Sequence, residues 1–212
     1  MSRELEIEVD PASVERAQAD LVVVPLFSME RPLRGGAARA DWRLCGKLSD
    51  LLAEGRLAGA PGEAALLSTF GGLRTPLLLV LGAGERAKFD ARRFEDFARD
   101  AVARGLAIGA GALALPLPDD PAGRPAHERR AAALLAGAAA ATAEAAPPVA
   151  LRLRLLVPRE EVVHSADVLR RARAPRLPES VALRLCGPTG KQTGDSPHKP
   201  GVLAPGSPQL IK

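Results

Sequence analysis

The run Gly82-Ala83-Gly84-Glu85-Arg86-Ala87 closes an apolar stretch with glycines spaced as in a dinucleotide-binding turn, where backbone amides cradle a pyrophosphate. That chemistry needs a helix opening at the glycines, so that its N-terminus faces the phosphates. Here Glu85-Arg86-Ala87-Lys88-Phe89 intervenes, and Asp90 is the residue suited to cap the following helix. The acidic ribose partner expected at the end of the next strand is also missing, since Asp119 and Asp120 come too late. The run therefore reads as a strand-to-loop turn. Gly187-Pro188-Thr189-Gly190-Lys191-Gln192-Thr193 mimics part of a nucleotide-binding P-loop, but its glycine spacing is short, Gln192 stands where a hydroxyl should bind magnesium, and no helix follows.

Other chemistry is equally thin. His127, His164 and His198 have neither a second histidine at helical spacing nor a nearby cysteine. No serine sits in a nucleophile elbow. Adjacent acids such as Glu95-Asp96 and Glu160-Glu161 diverge by about 100° on a helix and make poor metal clamps. No catalytic residue, metal ligand or cofactor is predicted. The residues best suited to hold a ligand are Arg34, Gly35, Gly36 and Arg39, in the loop after the strand ending at Phe27, with Gly82, Ala83 and Gly84 after the next strong strand. If the two loops faced one crevice, their amides and arginines would suit a phosphate-bearing small molecule.

The elements that must position these loops follow from hydropathy periods. Leu5, Ile7 and Val9 alternate as in a half-buried strand, predicted at a sheet edge, whereas 20–27 carries a continuous apolar run after Asp20 and suits a strand covered on both faces. Asp41 is predicted to cap a helix over 41–54 with Trp42, Cys45, Leu48 and Leu52 on its buried face. Strands follow at 62–69, 75–82, 111–118 and 149–158, with helices from Asp90, over 126–145 and over 159–172. Strands alternating with helices of this length give an α/β fold, three layers with a mixed central sheet, spanning 1–186. The Gly/Pro-rich segment 187–212 has no apolar period and is predicted to be a disordered tail.

Composition narrows the partners. A net charge of +4 permits a nucleic-acid partner, but the arginines are scattered and aromatics make up 3% of the chain, leaving few platforms for base stacking. Cys45 and Cys186 are too few for a disulfide framework. The N-terminus lacks a signal-peptide core, and the Ala-dominated run at 131–146 is too weakly apolar to span a bilayer. A cytoplasmic protein with no membrane partner is expected.

The succession "ADLVVVPLF", "LCGKLSDLLAEGRLAGAPGEAALL", "TPLLLVLGAGERAKFDARRFEDFARDAVARG" and "GALALPLP" resembles the N-terminal domain of leucyl (cytosol) aminopeptidases. Gly55, Gly59 and Gly62-Glu63 supply the glycine-rich middle piece of that pattern, and Gly82-Ala83-Gly84 its last glycines. The resemblance spans about 18–173 and implies a macro-domain-like fold. It also implies that the two metal ions and the catalytic Lys and Arg belong to a C-terminal domain marked by "NTDAEGR", a motif this sequence lacks. The expected role is a non-catalytic domain acting in association or oligomerisation, with itself or another protein chain. The alternatives are a macro-like phosphate- or nucleotide-binding module, a DNA-binding accessory domain, or a fragment of a metal-dependent aminopeptidase.

Overall fold

A computed structural model describes residues 3–117, 124–172, 178 and 180–186. The predicted tail at 187–212 lies outside the described residues.

Two strands buried along almost their whole length carry the middle of the sheet. They are β2 (Leu21–Phe27) and β4 (Leu77–Gly84). Beside them run β5 (Ala112–Pro116), β6 (Ala150–Leu156), β1 (Arg3–Asp10) and β7 (Val181–Cys186), while β3 (Ala64–Ser68) pairs antiparallel with β4. The order is β3-β4-β2-β5-β6-β1-β7, parallel throughout except for β3, giving the mixed sheet expected from the sequence. Alternate residues face opposite layers. Val22, Val24, Leu78 and Val80 pack under α1 (Gly35–Arg43) and α2 (Lys47–Ala53). Leu5, Ile7, Val23, Leu79, Leu113 and Leu153 face the other layer, formed by α3 (Ala91–Ala107), α4 (Arg124–Glu144) and α5 (Val162–Ala172).

Two local expectations are corrected. β1 is not an edge strand: it lies between β6 and β7, and β7 takes the edge. Its alternation records one polar face rather than a free side. Glu6, Glu8 and Asp10 stand beside basic residues of β6, with Glu6 3.1 Å from Arg152, and Asp10 and Glu8 3.4 and 3.6 Å from Arg154. Cross-strand charge pairs line this face of the sheet.

The helix predicted over 41–54 is instead two short helices. Gly46, at φ +85°, breaks the chain between them, and Asp41 ends up inside α1. Its carboxylate still caps a helix, the second one, accepting from the amides of Leu48 (2.7 Å) and Ser49 (3.1 Å) and from the Ser49 hydroxyl (2.6 Å). This geometry turns Trp42 outward, 78% exposed, so it is not on the buried face.

The turn after β4 matches its sequence reading. A single 3-10 turn (Arg86–Lys88) follows Gly84, and α3 starts only after Asp90, whose carboxylate accepts from the Arg93 amide at 2.9 Å. Phe94, Phe97, Ala98 and Ala101 form the buried stripe of α3, as the period predicts. Phe27, Phe89, Phe94 and Phe97 make a contiguous aromatic cluster with mostly edge-to-face rings 5.0–6.3 Å apart. Gly137 lets α4 lie against α3, because a Cβ there would collide with the Glu95 carbonyl. Among the described residues, no helix is long and apolar enough to cross a membrane.

Candidate functional site

β2 and β5 pair only over Leu21–Val22 and Leu113–Ala114, and then part. Two prolines mark the split. Pro25 lacks an amide hydrogen, which a central strand tolerates only where its neighbour has diverged, and Pro116 faces the same opening. The connection leaving β2 runs through α1 and α2 towards β4, while the one leaving β5 runs through α4 towards β6. Connections leaving in opposite directions from adjacent parallel strands open a crevice beyond their carboxyl ends. A cavity of about 310 Å³ occupies that position, reaching Leu156 at the end of β6, Val157 after it and Pro11 after β1.

Arg34, Gly35, Gly36 and Arg39 all line this cavity. The loop predicted there is in fact the N-terminus of α1. Arg34 is its N-cap residue in extended backbone, without a side-chain bond to the first amides, so those amides are left facing outward. Gly36 packs closely, since a Cβ there would stand 3.1 Å from the Val14 side chain, 3.2 Å from Pro116 and 3.4 Å from Val24, tighter than ordinary contact. Arg39 approaches Glu15 at 3.4 Å. Burial works against the charge on Glu15, yet its own amide, the Ser13 hydroxyl, Arg39 and Arg16 together hold its carboxyl below the usual glutamate value. Arg34 makes no ion pair among the described residues.

Arg86 also lines the cavity, although it was not singled out from the sequence. It stacks 4.0 Å above the Phe27 ring and makes two bonds to Glu30, at 2.6 and 3.0 Å. The signal was its place just after the Gly82–Gly84 run, hidden because it reaches the site through a contact 56 residues away.

Gly82, Ala83 and Gly84 do not join the Arg34–Arg39 group. Gly82 and Ala83 border a second cavity of about 570 Å³, with Pro61, Gly62, Asp90 and Asp96 around it. A Cβ at Gly82 would clash with the Ala60 carbonyl, while Gly84 has φ +72° and donates its amide to the Gly59 carbonyl at 2.8 Å. These glycines admit the 58–63 loop. That loop is held by Glu63 Oε2, which accepts from the amides of Ala58 (2.9 Å), Gly59 (2.8 Å) and Ala60 (3.2 Å). Gly59, at φ +77°, would bring a Cβ within 2.8 Å of the Phe27–Ser28 backbone. Ser28, just after β2, is tied to the same loop, its hydroxyl donating to the Gly59 carbonyl at 2.9 Å and its amide to the Gly84 carbonyl at 2.8 Å. Among the described residues, no group of three His, Cys, Asp or Glu side chains is placed to hold a metal ion.

A mixed sheet between helix layers, with a crevice at the carboxyl ends of its parallel strands, gives an α/β domain with a macrodomain-like fold. The macro domain of ganglioside induced differentiation associated protein 2 superposes over 81% of this chain and 85% of its own, with a TM-score of 0.61 at 12% identity. The model of the cytosol aminopeptidase family N-terminal domain matches residues 23–145, and the chain belongs to that family. A probable cytosol aminopeptidase of Xanthomonas oryzae is 36% identical over 105 residues, which is 50% of this chain and 20% of that protein. The corresponding Xylella fastidiosa protein is 31% identical over 98 residues, 46% of this chain and 20% of the relative. A mutant of tomato leucine aminopeptidase superposes over 81% of this chain and 36% of its own, with a TM-score of 0.62 at 17% identity. The segments matched in these two bacterial relatives thus amount to about a fifth of their length.

Proposed function

We propose that this chain works by association, as a non-catalytic domain of the cytosol aminopeptidase N-terminal type that binds a second copy of itself or another protein chain in the cytoplasm. One observation carries the reading: the carboxylates that the fold gathers are engaged with its own amides and arginines. Glu63 holds three amides, Asp41 caps α2, and Asp20 accepts from Gly111 and Ala112 at 2.9 Å each. Glu6, Glu8, Asp10 and Glu30 each face an arginine. Groups so held are structural, and a family member built this way contributes surface rather than bond cleavage. The purified chain should leave leucine p-nitroanilide intact in the presence of added Mn²⁺ or Zn²⁺. Turnover that co-purifies with it would refute the reading.

The crevice favours a second reading, a phosphate-bearing ligand. The open amides of α1 with Arg34 at their end form an anion-favouring rim. The Oceanobacillus iheyensis and Trypanosoma brucei macrodomains, which share this fold, are described with ADPR and with ADP. In a thermal-shift experiment, ADP-ribose at a hundredfold excess over its Kd stabilises a binding protein by about 2.7 kcal/mol. Arg34→Ala should abolish the shift without lowering the unliganded Tm. A flat response to ADP-ribose, ADP and phosphate in the wild type would remove this reading.

A further inference from the structure

The sheet's two edges are treated differently. β7 carries Arg184 within its length. β3 reads Ala64-Ala65-Leu66-Leu67-Ser68, with no charge or proline, and its register with β4 is unbroken. Edges of this kind recruit other strands unless something blunts them. The backbone parity of β3 is set by its inner side: Gly82 donates to the Glu63 carbonyl at 2.8 Å, and Thr69 donates to the Pro76 carbonyl at 3.0 Å. Odd-numbered residues therefore bond to β4. Ala64, Leu66 and Ser68 turn their amides and carbonyls outward, where none takes a partner among the described residues.

Apolar side chains collect at the same border. The chain has five phenylalanines and one tryptophan. Four phenylalanines form the interior cluster, and the two remaining aromatics face water, Trp42 at 78% and Phe70 at 92% exposure. They lie on neighbouring segments, because the Arg43 side chain donates to the Gly72 carbonyl at 2.9 Å. Phe70 directly follows the Thr69 that ends the pairing with β4, and Leu66 on the strand itself is 47% exposed. Phe70 also has φ +46°, a left-handed conformation that is strained for a bulky residue, and at that exposure little intramolecular packing offsets it.

We propose that the free edge of β3 is a two-fold interface joining two copies of this chain into one continuous sheet. The proposal rests on the association reading above and names its partner. A two-fold axis through Leu66 sets Ala64 opposite Ser68 of the second copy and Leu66 opposite Leu66. Every outward amide then meets a carbonyl, with two hydrogen bonds at each opposed pair. The flanks are compatible as well: Glu63 faces Thr69, so no like charges meet, and Phe70 falls beside the exposed Gly62 and Pro61 that border the 570 Å³ cavity. An unrelated strand could use the backbone, but a second copy brings a Phe70 to a Pro61-Gly62 rim at both ends at once. Because the paired segment is short, the dimer belongs among small interfaces, with a Kd in the micromolar range.

Sedimentation velocity of the full 212-residue chain over about 1–300 µM tests this, bracketing the micromolar Kd expected for a small interface. A monomer–dimer equilibrium is expected. Leu66→Lys, which places a charge at the centre of the axis on an already exposed side chain, should raise the Kd at least about tenfold. Phe70→Gly carries a signature that mere structural damage cannot give, since it should raise Tm by relieving the left-handed strain while weakening the dimer. A wild type that stays monomeric throughout overturns the interface, as does a dimer unaffected by both substitutions. Neither outcome touches the non-catalytic reading, which fails instead by peptidase turnover. A dimer that survives both substitutions moves the interface elsewhere on the molecule.

Discussion

Removing the Glu63 carboxylate tests the reason given for the glycine-rich middle of the chain. Glu63 Oε2 holds the amides of Ala58, Gly59 and Ala60, and Gly59 in turn accepts from Ser28 Oγ at 2.9 Å and from the Gly84 amide at 2.8 Å. One side chain thus fixes a loop that clamps the carboxyl ends of β2 and β4 together. In Glu63→Ala the exposed amide of Ala58 returns to water at little cost. The partly buried amides of Gly59 and Ala60 lose a charged acceptor and regain only partial hydration, at about 1 kcal/mol each. The expected loss is about 2 kcal/mol, a Tm lowered by about 4–8 °C for a domain of this size. Glu63→Gln keeps a carbonyl acceptor and should lose about half as much. Urea denaturation followed by far-UV circular dichroism gives the number. A loss below about 0.5 kcal/mol for the alanine variant, at unchanged m-value, would refute the clamp.

Asp41→Ala should cost about 1–2 kcal/mol through the lost cap of α2, with Asp41→Asn recovering most of it; equal losses in the two variants by urea titration would show that capping is not the cause. Glu6 titrates below the usual glutamate value, chiefly because the Cys186 thiol donates to it at 2.9 Å and secondarily because of Arg152. A carboxyl depressed in the folded state contributes stability above its unfolded pKa of about 4.3 that is lost as the pH falls through the folded value. Urea midpoints measured from pH 6 down to pH 3 should therefore fall less steeply in Glu6→Gln; parallel curves would contradict the assignment. The same contact pushes the Cys186 thiol up, with Glu6 as the main cause, so Cys186 should react with a thiol reagent at pH 8 several-fold more slowly than the exposed Cys45. Equal rates, read by peptide mapping, would count against it.

Much of the architecture was legible from local patterns. The apolar run within 20–27 announced a strand covered on both faces, the run at 75–82 announced a strong strand, and Asp90 announced the start of α3. What misled was context. The alternation of β1 reports one apolar and one polar face, and it is the same whether that polar face belongs to an edge strand or to one flanked by β6 and β7. Trp42 followed the period of one long helix, but a left-handed Gly46 divides that helix and turns the indole outward. The candidate site was half legible. Arg34, Gly35, Gly36 and Arg39 line one crevice as a contiguous loop would, whereas Gly82–Gly84 answer to a different neighbour, the 58–63 loop.

By itself, the sequence determined the alternation of strands and helices over most of the chain, the α/β class and the aminopeptidase-type succession of blocks, because periodicity and turn chemistry act over a few residues. Only the tertiary structure decided which strands neighbour each other, that Arg86 reaches the crevice, that Glu63 clamps two strand ends, and that the outward amides and carbonyls of β3 take no partner among the described residues. Those properties arise from contacts between segments tens of residues apart, and packing, not local preference, selects among the pairings that the same local pattern would allow.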